Sequence, residues 1–277
     1  MKCKEVFEDK SILFSTILII ALVSVALIGP FFSPYTFEQT ELVAKNLAPS
    51  SSHIFGTDDL GRDLFTRVCF GLRISLFIGL LAAGFDIFFG VTWGIVAAMS
   101  NKTYDLIMMK IAEMVYSFPY LVFVILVTAI IGPGITSIVA GMMIVGWINT
   151  ARISRQIVLQ IKHSEYVTAS LSLGSSTFGI IVRHIVPNIT GPLIALIMLT
   201  IPQAIFVEAF LSFLGIGIQP PMASLGSLVS DAWSSMRYYP WKLFIPASVI
   251  TLMIFAFNLL GDGIRELLDP KAKKQLS

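Results

Sequence analysis

Asp86, Glu113 and Glu208 stand inside stretches of chain that are otherwise almost wholly apolar. A carboxylate at the centre of a bilayer is expensive, about 3 kcal/mol for Asp on insertion scales, so it must face protein or water rather than lipid. Two uses are open for Asp86 and Glu208. One is a position along a water-filled translocation pathway. The other is a protonated or hydrogen-bonded packing site against a partner. Glu113 has Lys110 one turn back, and an ion pair at that spacing serves it. Nothing else assembles into a reactive constellation. His53, His163 and His184 are scattered, without the spacing of metal ligands. Met108, Met109, Met114, Met142 and Met143 suit flexible packing better than a soft-metal path. No Gly-x4-Gly-Lys-Ser/Thr occurs, and Gly56–Gly61 runs on into Arg62-Asp63, so the chain carries no phosphate-cradling loop of its own. The expectation is a non-catalytic chain with no catalytic residue, no metal and no cofactor.

A second constellation is a surface rather than a reaction centre. Ala151 to Asn188 is a basic, amphipathic interruption between apolar runs. Over His163–Leu173, Ser164, Thr168 and Ser172 recur at helical spacing beside Glu165. Tyr166, Val167, Ala169, Leu171 and Leu173 take the other side. Gly174 suits a left-handed helix end. Ser175 or Ser176 can cap a second short helix over Phe178–Val182, and Pro187-Asn188 marks where the next apolar run begins. Two short helices meeting at an angle, parallel to a membrane, are predicted. An ordinary amphipathic loop on the lipid headgroups is the plainer reading of the same pattern.

The elements that hold these residues are membrane spans. Of 277 residues, 56% are hydrophobic and only 13% charged, with mean hydropathy +0.84; a soluble domain carries roughly 25% charged residues. A net charge of +2 argues against nucleic acid. Apolar runs of about 20 residues, enough to cross a bilayer, fall near Ile12–Phe32, Ile74–Met99, Leu106–Ile131, Ile135–Thr150, Gly191–Gly215 and Trp241–Gly261. No run alternates as a barrel strand does, so helices are expected. The first run follows Lys2, Lys4 and Lys10 but lacks a small-residue cleavage site, which reads as a retained anchor. With both termini cytoplasmic, only Lys45, Arg62, Arg67, Arg73, Arg237 and Lys242 of the 19 basic residues fall outside, as the positive-inside bias requires. Tyr35, Trp233, Tyr238, Tyr239 and Trp241 then sit near span ends as interfacial aromatics. Cys3 and Cys69 fall on opposite sides, which excludes an intrachain disulfide. Pro119 and Pro202 are candidate kinks in the third and fifth spans.

Four ordered motifs carry a family resemblance. Ala151–Asn188 resembles the cytoplasmic motif of binding-protein-dependent ABC importer permeases, which runs Glu-Ala-Ala, three residues, Gly, nine residues, Ile-x-Leu-Pro. Thr168-Ala169-Ser170 stand at Glu-Ala-Ala, Gly174 at the glycine and His184-Ile185-Val186-Pro187 at the end, with the glycine-to-proline spacing kept. Thr168 replaces the acidic residue, and Glu165 offers a charge one turn earlier. Phe55-Gly56-Thr57-Asp58-Asp59-Leu60-Gly61-Arg62-Asp63 followed by Gly71-Leu72-Arg73-Ile74-Ser75-Leu76 looks like the start of the second span in the dipeptide, oligopeptide and nickel branch. Leu211–Pro221 leading to Gly226 and Ser230-Asp231 is a third match, with Ala223-Ser224-Leu225-Gly226 where the branch has Pro-Ser-Trp-Gly. Arg265-Glu266-Leu267-Leu268-Asp269-Pro270 matches the C-terminal end.

The resemblance implies an all-α membrane protein of about six spans with the type I importer permease fold. It divides the chain into an anchor with an extracytoplasmic segment (1–72), a permease domain (73–264, coupling loop 151–188) and a cytoplasmic tail (265–277). It implies half of a translocation pathway for peptides, nickel or a metal chelate, in the plasma membrane of a prokaryote. The implied partners are a homologous permease subunit as a heterodimer, two ABC ATPase subunits, an extracytoplasmic substrate-binding protein and membrane lipid. Glu165, Tyr166, Val167, Thr168, Ala169, Ser170, Leu171, Gly174 and Pro187 are the implied ATPase-coupling residues. A stand-alone, ion-driven secondary transporter with Asp86 or Glu208 as proton carrier is the rival reading. A polytopic membrane enzyme has no constellation behind it.

Overall fold

Asp9 starts the first helix as a cap. Its carboxylate accepts the Ser11 N–H at 2.8 Å and the Ser11 hydroxyl at 2.6 Å, and these bonds hold its pKa below the ordinary carboxylate value. The structure is a computed structural model and describes residues 9–268. Cys3, Asp269, Pro270 and most of the predicted tail lie outside the described residues.

The helices in order are α1 (Lys10–Ile28), α2 (Leu64–Met99), α3 (Lys102–Tyr116), α4 (Tyr120–Ile131), α5 (Ile135–Val145), α6 (Trp147–Lys162), α7 (Glu165–Ser172), α8 (Thr177–Ile180), α9 (Val186–Phe213), α10 (Leu225–Trp233) and α11 (Trp241–Leu268). No strand occurs among the described residues, only an isolated bridge between Thr57 and Asp63. Five stretches are long and apolar enough to span a membrane, and the bent pair α3–α4 makes a sixth. The spans run up and down. One end of the bundle carries α7 and the other carries α10.

Three boundaries differ from the sequence expectation, each for a packing reason. The second span was expected from Ile74, yet α2 begins at Leu64 and extends over 36 residues, about 54 Å at 1.5 Å per residue. Asp63 caps it, accepting the Thr66 N–H at 2.9 Å, and Leu64, Val68 and Leu72 are buried in the main core with Leu22, Ile201, Leu225 and Met253. The fourth span was expected to stop at Thr150, but α5 and α6 carry it to Lys162. The first third of the supposed loop is therefore helix. Gly90 and Gly94 of α2 explain it: a Cβ at Gly90 would lie 2.6 Å from the Trp147 carbonyl, and one at Gly94 would lie 2.6 Å from that of Ala151. This four-residue glycine spacing lets α2 and α6 touch backbone to backbone, burying Ala151, Ser154 and Val158. The second short helix was expected to stand apart from the fifth span. Instead helix runs unbroken from Thr177 to Phe213 through a π turn at Ile181–Ile185. Pro187 lacks an N–H and its ring crowds the carbonyl four residues back; the wider turn just before it absorbs that misfit.

The third span breaks where Pro119 predicts. α3 and α4 meet at 74° across Ser117-Phe118-Pro119. Pro202 lies inside α9 without interrupting it. At the α10 end, the Phe55–Asp63 motif forms a buckle. Asp58 accepts the N–H groups of Leu60 and Arg62 at 2.9 Å each and pairs with the Arg62 guanidinium at 2.6 Å. Lys242 of α11 reaches back to Asp59 (2.6 Å) and Asn46 (2.8 Å). His53 Nδ1 lies 2.9 Å from Asp63 and stacks on Tyr35. Asp231 of α10 sits 3.7 Å from Arg67; burial raises its pKa, and the positive charge of Arg67 opposes that rise. Gly56 and Gly61 have positive φ, and a Cβ at either would collide with a backbone carbonyl.

Candidate functional site: a mid-height cavity and an exposed helix at one end

At the α7 end, a short helix is pinned by one side chain. Val167 is fully buried in a cluster with Ile95, Ala98, Val158, Ile180 and Ile185. Glu165, Tyr166, Thr168, Ala169 and Leu171 of the same helix are exposed, and Ser170 is half-buried. Leu173 is 88% exposed and Phe178 76%. The predicted amphipathic split is thus partial, because most of the apolar side stays uncovered in the single chain. The elbow forms as Gly174 requires, at φ +87. Its N–H bonds the Leu171 carbonyl (2.9 Å) and the Ser175 N–H bonds that of Ser170 (3.1 Å), the pattern of a Schellman end. Ser176 caps α8 through the Gly179 N–H at 3.2 Å. Pro187 is exposed on the first turn of α9.

The platform beneath is tied down by charge. Lys162 donates to the Ala98 carbonyl at 2.8 Å, near the C-terminus of α2 where a cation is favoured. Arg155 of α6 makes a two-point ion pair with Asp105 of α3. Helix α7 thus rests, through Val167, on α2, α6 and the π turn that leads into α9.

At mid-height lies a cavity of about 530 Å³. Two irregularities and one helix wall frame it: the α3–α4 break supplies Tyr116 to Tyr120, the α5–α6 junction supplies Val145 and Gly146, and α9 supplies Thr200, Gln203 and Ala204. Asn149 and Thr150 complete the wall with Asp86 of α2. Asp86 is 6% exposed, and its Oδ1 accepts no hydrogen bond among the described residues. Gly146 makes room for it, since a Cβ there would fall 2.5 Å from one carboxylate oxygen and 2.6 Å from the other. A second cavity of about 660 Å³ shares Pro119, Tyr120 and Gln203 and runs past Phe206, Ile254 and Asn258.

The two candidate carboxylates part company. Asp86 lines the 530 Å³ cavity, among polar neighbours. Glu208 lines neither; it is fully buried, accepting the hydroxyls of Ser75 at 2.7 Å and Ser212 at 2.8 Å. Glu113 stays on an exposed face with Lys110 at 3.9 Å. Sequence reasoning missed Ser117, Asn149, Thr200 and Gln203. Their one signal was polarity at a shared depth in three apolar runs, and depth is not readable until the helices are aligned.

The fold of this helical bundle is shared with known transporters. Over 73% of this chain and 97% of the other, the fold overlays on a chain of the inward-facing MetNI methionine ABC transporter with TM-score 0.60 at 15% identity. An amino acid ABC transporter gives TM-score 0.54 at 20% identity over 72% of this chain and 92% of the other. These likenesses define a type I importer permease fold. Residues 90–274, more than half of the chain, match the model of the binding-protein-dependent transport system inner membrane component, and the chain belongs to that family. Residues 4–49 match the N-terminal TM domain of oligopeptide transport permease C. The oligopeptide transport system permease protein OppC of Bacillus subtilis is 45% identical over 96% of this chain and 88% of its own length. The dipeptide transport system permease protein DppC of the same organism is 46% identical over 96% and 84%. The protein is thus a membrane-embedded permease subunit of an ATP-driven ABC importer, working with ATPase subunits, rather than an ion-driven secondary transporter.

Proposed function

We propose that this chain forms half of a peptide translocation pathway in the plasma membrane of a prokaryote, with a homologous permease as the other half. The relatives at 45% and 46% identity are named for oligopeptide and dipeptide transport, which favours peptides over nickel or a metal chelate. A substrate-binding protein docks at the α10 end, outside the cell. Two ATPase subunits dock at the α7 end, with both termini in the cytoplasm. The chain itself makes and breaks no covalent bond.

The observation that carries this reading is the build of α7. One buried valine anchors it, while Tyr166, Leu171, Leu173 and Phe178 present uncovered apolar surface, and patches of that kind mark protein interfaces. Glu165 to Leu171, Gly174 and Pro187 are the coupling residues in this scheme. ATP-driven closure of the ATPases moves α7, and the rigid α6–α2 contact passes the motion to the bundle, which alternates between inward-open and outward-open forms. Asp86 lies on the pathway and Glu208 braces its outer end. The cavity is open on the side of Tyr116 to Pro119, Asn149 and Gln203, all of them exposed, and the second permease closes that side.

The test replaces residues 165–174 with a Gly/Ser tether in the assembled complex in proteoliposomes. ATP-dependent peptide uptake should fall to background while basal ATP hydrolysis persists. Full uptake through the tethered complex would end the coupling assignment. Uptake that survives blocked hydrolysis and follows a proton gradient would end the ATP-driven reading as a whole.

A further inference from the structure

Asp86 is the one acidic group lining the mid-height cavity, and nothing among the described residues neutralises it. No Lys, Arg or His lies within ion-pair distance. No basic residue is among those that line the cavity, and Arg152, which touches the lining residue Tyr116, lies over its ring at 4.3 Å. Oδ1 is buried and accepts no hydrogen bond among the described residues. A carboxylate kept in this state inside a membrane bundle is expensive unless a cation meets it during function. The rest of the lining suits the same visitor. Phe118 and Tyr120 add aromatic rings, a residue type that attracts cations, to the lining. Asn149, Thr200 and Gln203 offer neutral amide and hydroxyl groups that pair with a peptide backbone. A volume of about 530 Å³ falls in the range of small-ligand sites, roughly 300–1,000 Å³.

We propose that the Asp86 cavity is a transit site for a cargo ammonium group, which pauses against the Asp86 carboxylate while the peptide backbone is held by Asn149, Thr200 and Gln203. The inference rests on peptide import as the function. Gly146 is a positioning residue here, because any side chain at 146 drives the carboxylate out of its place. The ammonium is either the peptide amino terminus or a lysine side chain, and the two sources are separable.

The experiment has two arms, both on the complete complex in proteoliposomes. In the first, Ser117→Cys is placed in a Cys3→Ser/Cys69→Ala background, and its reaction rates with a cationic and an anionic methanethiosulfonate, each divided by that reagent's rate with a small free thiol in solution, are compared as a ratio. With Asp86 present the normalised ratio should favour the cationic reagent by at least about tenfold, as a partly desolvated carboxylate lining the same cavity requires. Asp86→Asn should bring the ratio close to one. Thr200→Cys provides a second reporter should Ser117→Cys fail to assemble. In the second arm, Asp86→Asn is assayed for uptake of tri-alanine and of Ala-Lys-Ala. Losses of about tenfold or more for both peptides identify the amino terminus, and a loss confined to Ala-Lys-Ala identifies the side chain. A flat reagent ratio in the presence of Asp86, as would follow if a basic residue of the second permease covered it, overturns the proposal. So does unchanged uptake of both peptides by Asp86→Asn. Failure of the unmodified complex to import either peptide would sink the peptide reading instead, and the reagent ratio would still decide the charge of the site.

Discussion

Glu208 offers a clean separation between a brace and a pathway residue. Its two oxygens accept from Ser75 on α2 and Ser212 on α9, and Ser212 Oγ in turn accepts the Ile218 N–H at 3.3 Å. The carboxylate therefore joins α2, α9 and the loop that follows α9. Glu208→Ala strands two buried hydroxyls, at roughly 1–3 kcal/mol each, and leaves a void that adds to the loss. A total of about 4 kcal/mol follows, a large fraction of ordinary domain stability. Glu208→Gln keeps the shape. Its carbonyl accepts from Ser212, and its amide donates to Ser75 Oγ once that hydroxyl turns. The net cost is about 1 kcal/mol or less. Purified complexes of both variants, compared by thermal unfolding, subunit stoichiometry and peptide uptake, read the difference. The alanine variant should melt well below the unmodified complex or fail to assemble. The glutamine variant should assemble, melt near it and import within about twofold. If Glu208→Gln assembled and melted normally yet imported nothing, the charge would be acting on cargo or protons, and the bracing argument would be wrong.

Other expectations follow from the same geometry. Gly94→Ala places a methyl group 2.6 Å from the Ala151 carbonyl and 2.8 Å from Ser154 Cβ; overpacking of this kind costs about 1–3 kcal/mol, so its melting temperature should drop, while Gly84→Ala, with nothing within 4 Å, should not move it. The Asp9 cap depends on pH. Its folded pKa is depressed by Ser11, so its stabilising effect is present above the unfolded value of about 3.9 and is lost as pH falls through the lower folded value. Hydrogen exchange at Ser11 and Ile12, corrected for intrinsic rate, should accelerate below about pH 4, and Asp9→Ala should show the faster rate at all pH values.

Much of the architecture was legible because lipid imposes a simple rule. A run of about 20 apolar residues must be a helix when water is absent to satisfy its backbone, so every span was found. Pro119 marked the break and Gly174 the elbow, each through a restriction on its own backbone. The boundaries were less legible. Residues 64–73 and 151–162 carry too many polar groups to read as span, yet both are helix, because Asp63 supplies a cap and Gly90 and Gly94 supply a partner surface. Those causes act across helices distant in sequence. The same holds for Pro187, which looks like a helix start and instead sits beyond a widened turn within a continuous rod.

The sequence by itself determined the class of molecule, the number of spans and the short helix at one end, since these follow from hydropathy, glycine and proline, which act locally. Which buried carboxylate is satisfied and which is not was decided only by tertiary structure. Asp86 and Glu208 occupy similar apolar surroundings in the chain. Folding sets two serines against Glu208 and a cavity wall against Asp86, and the energy of a buried charge depends on what the other helices place within about 3 Å of it.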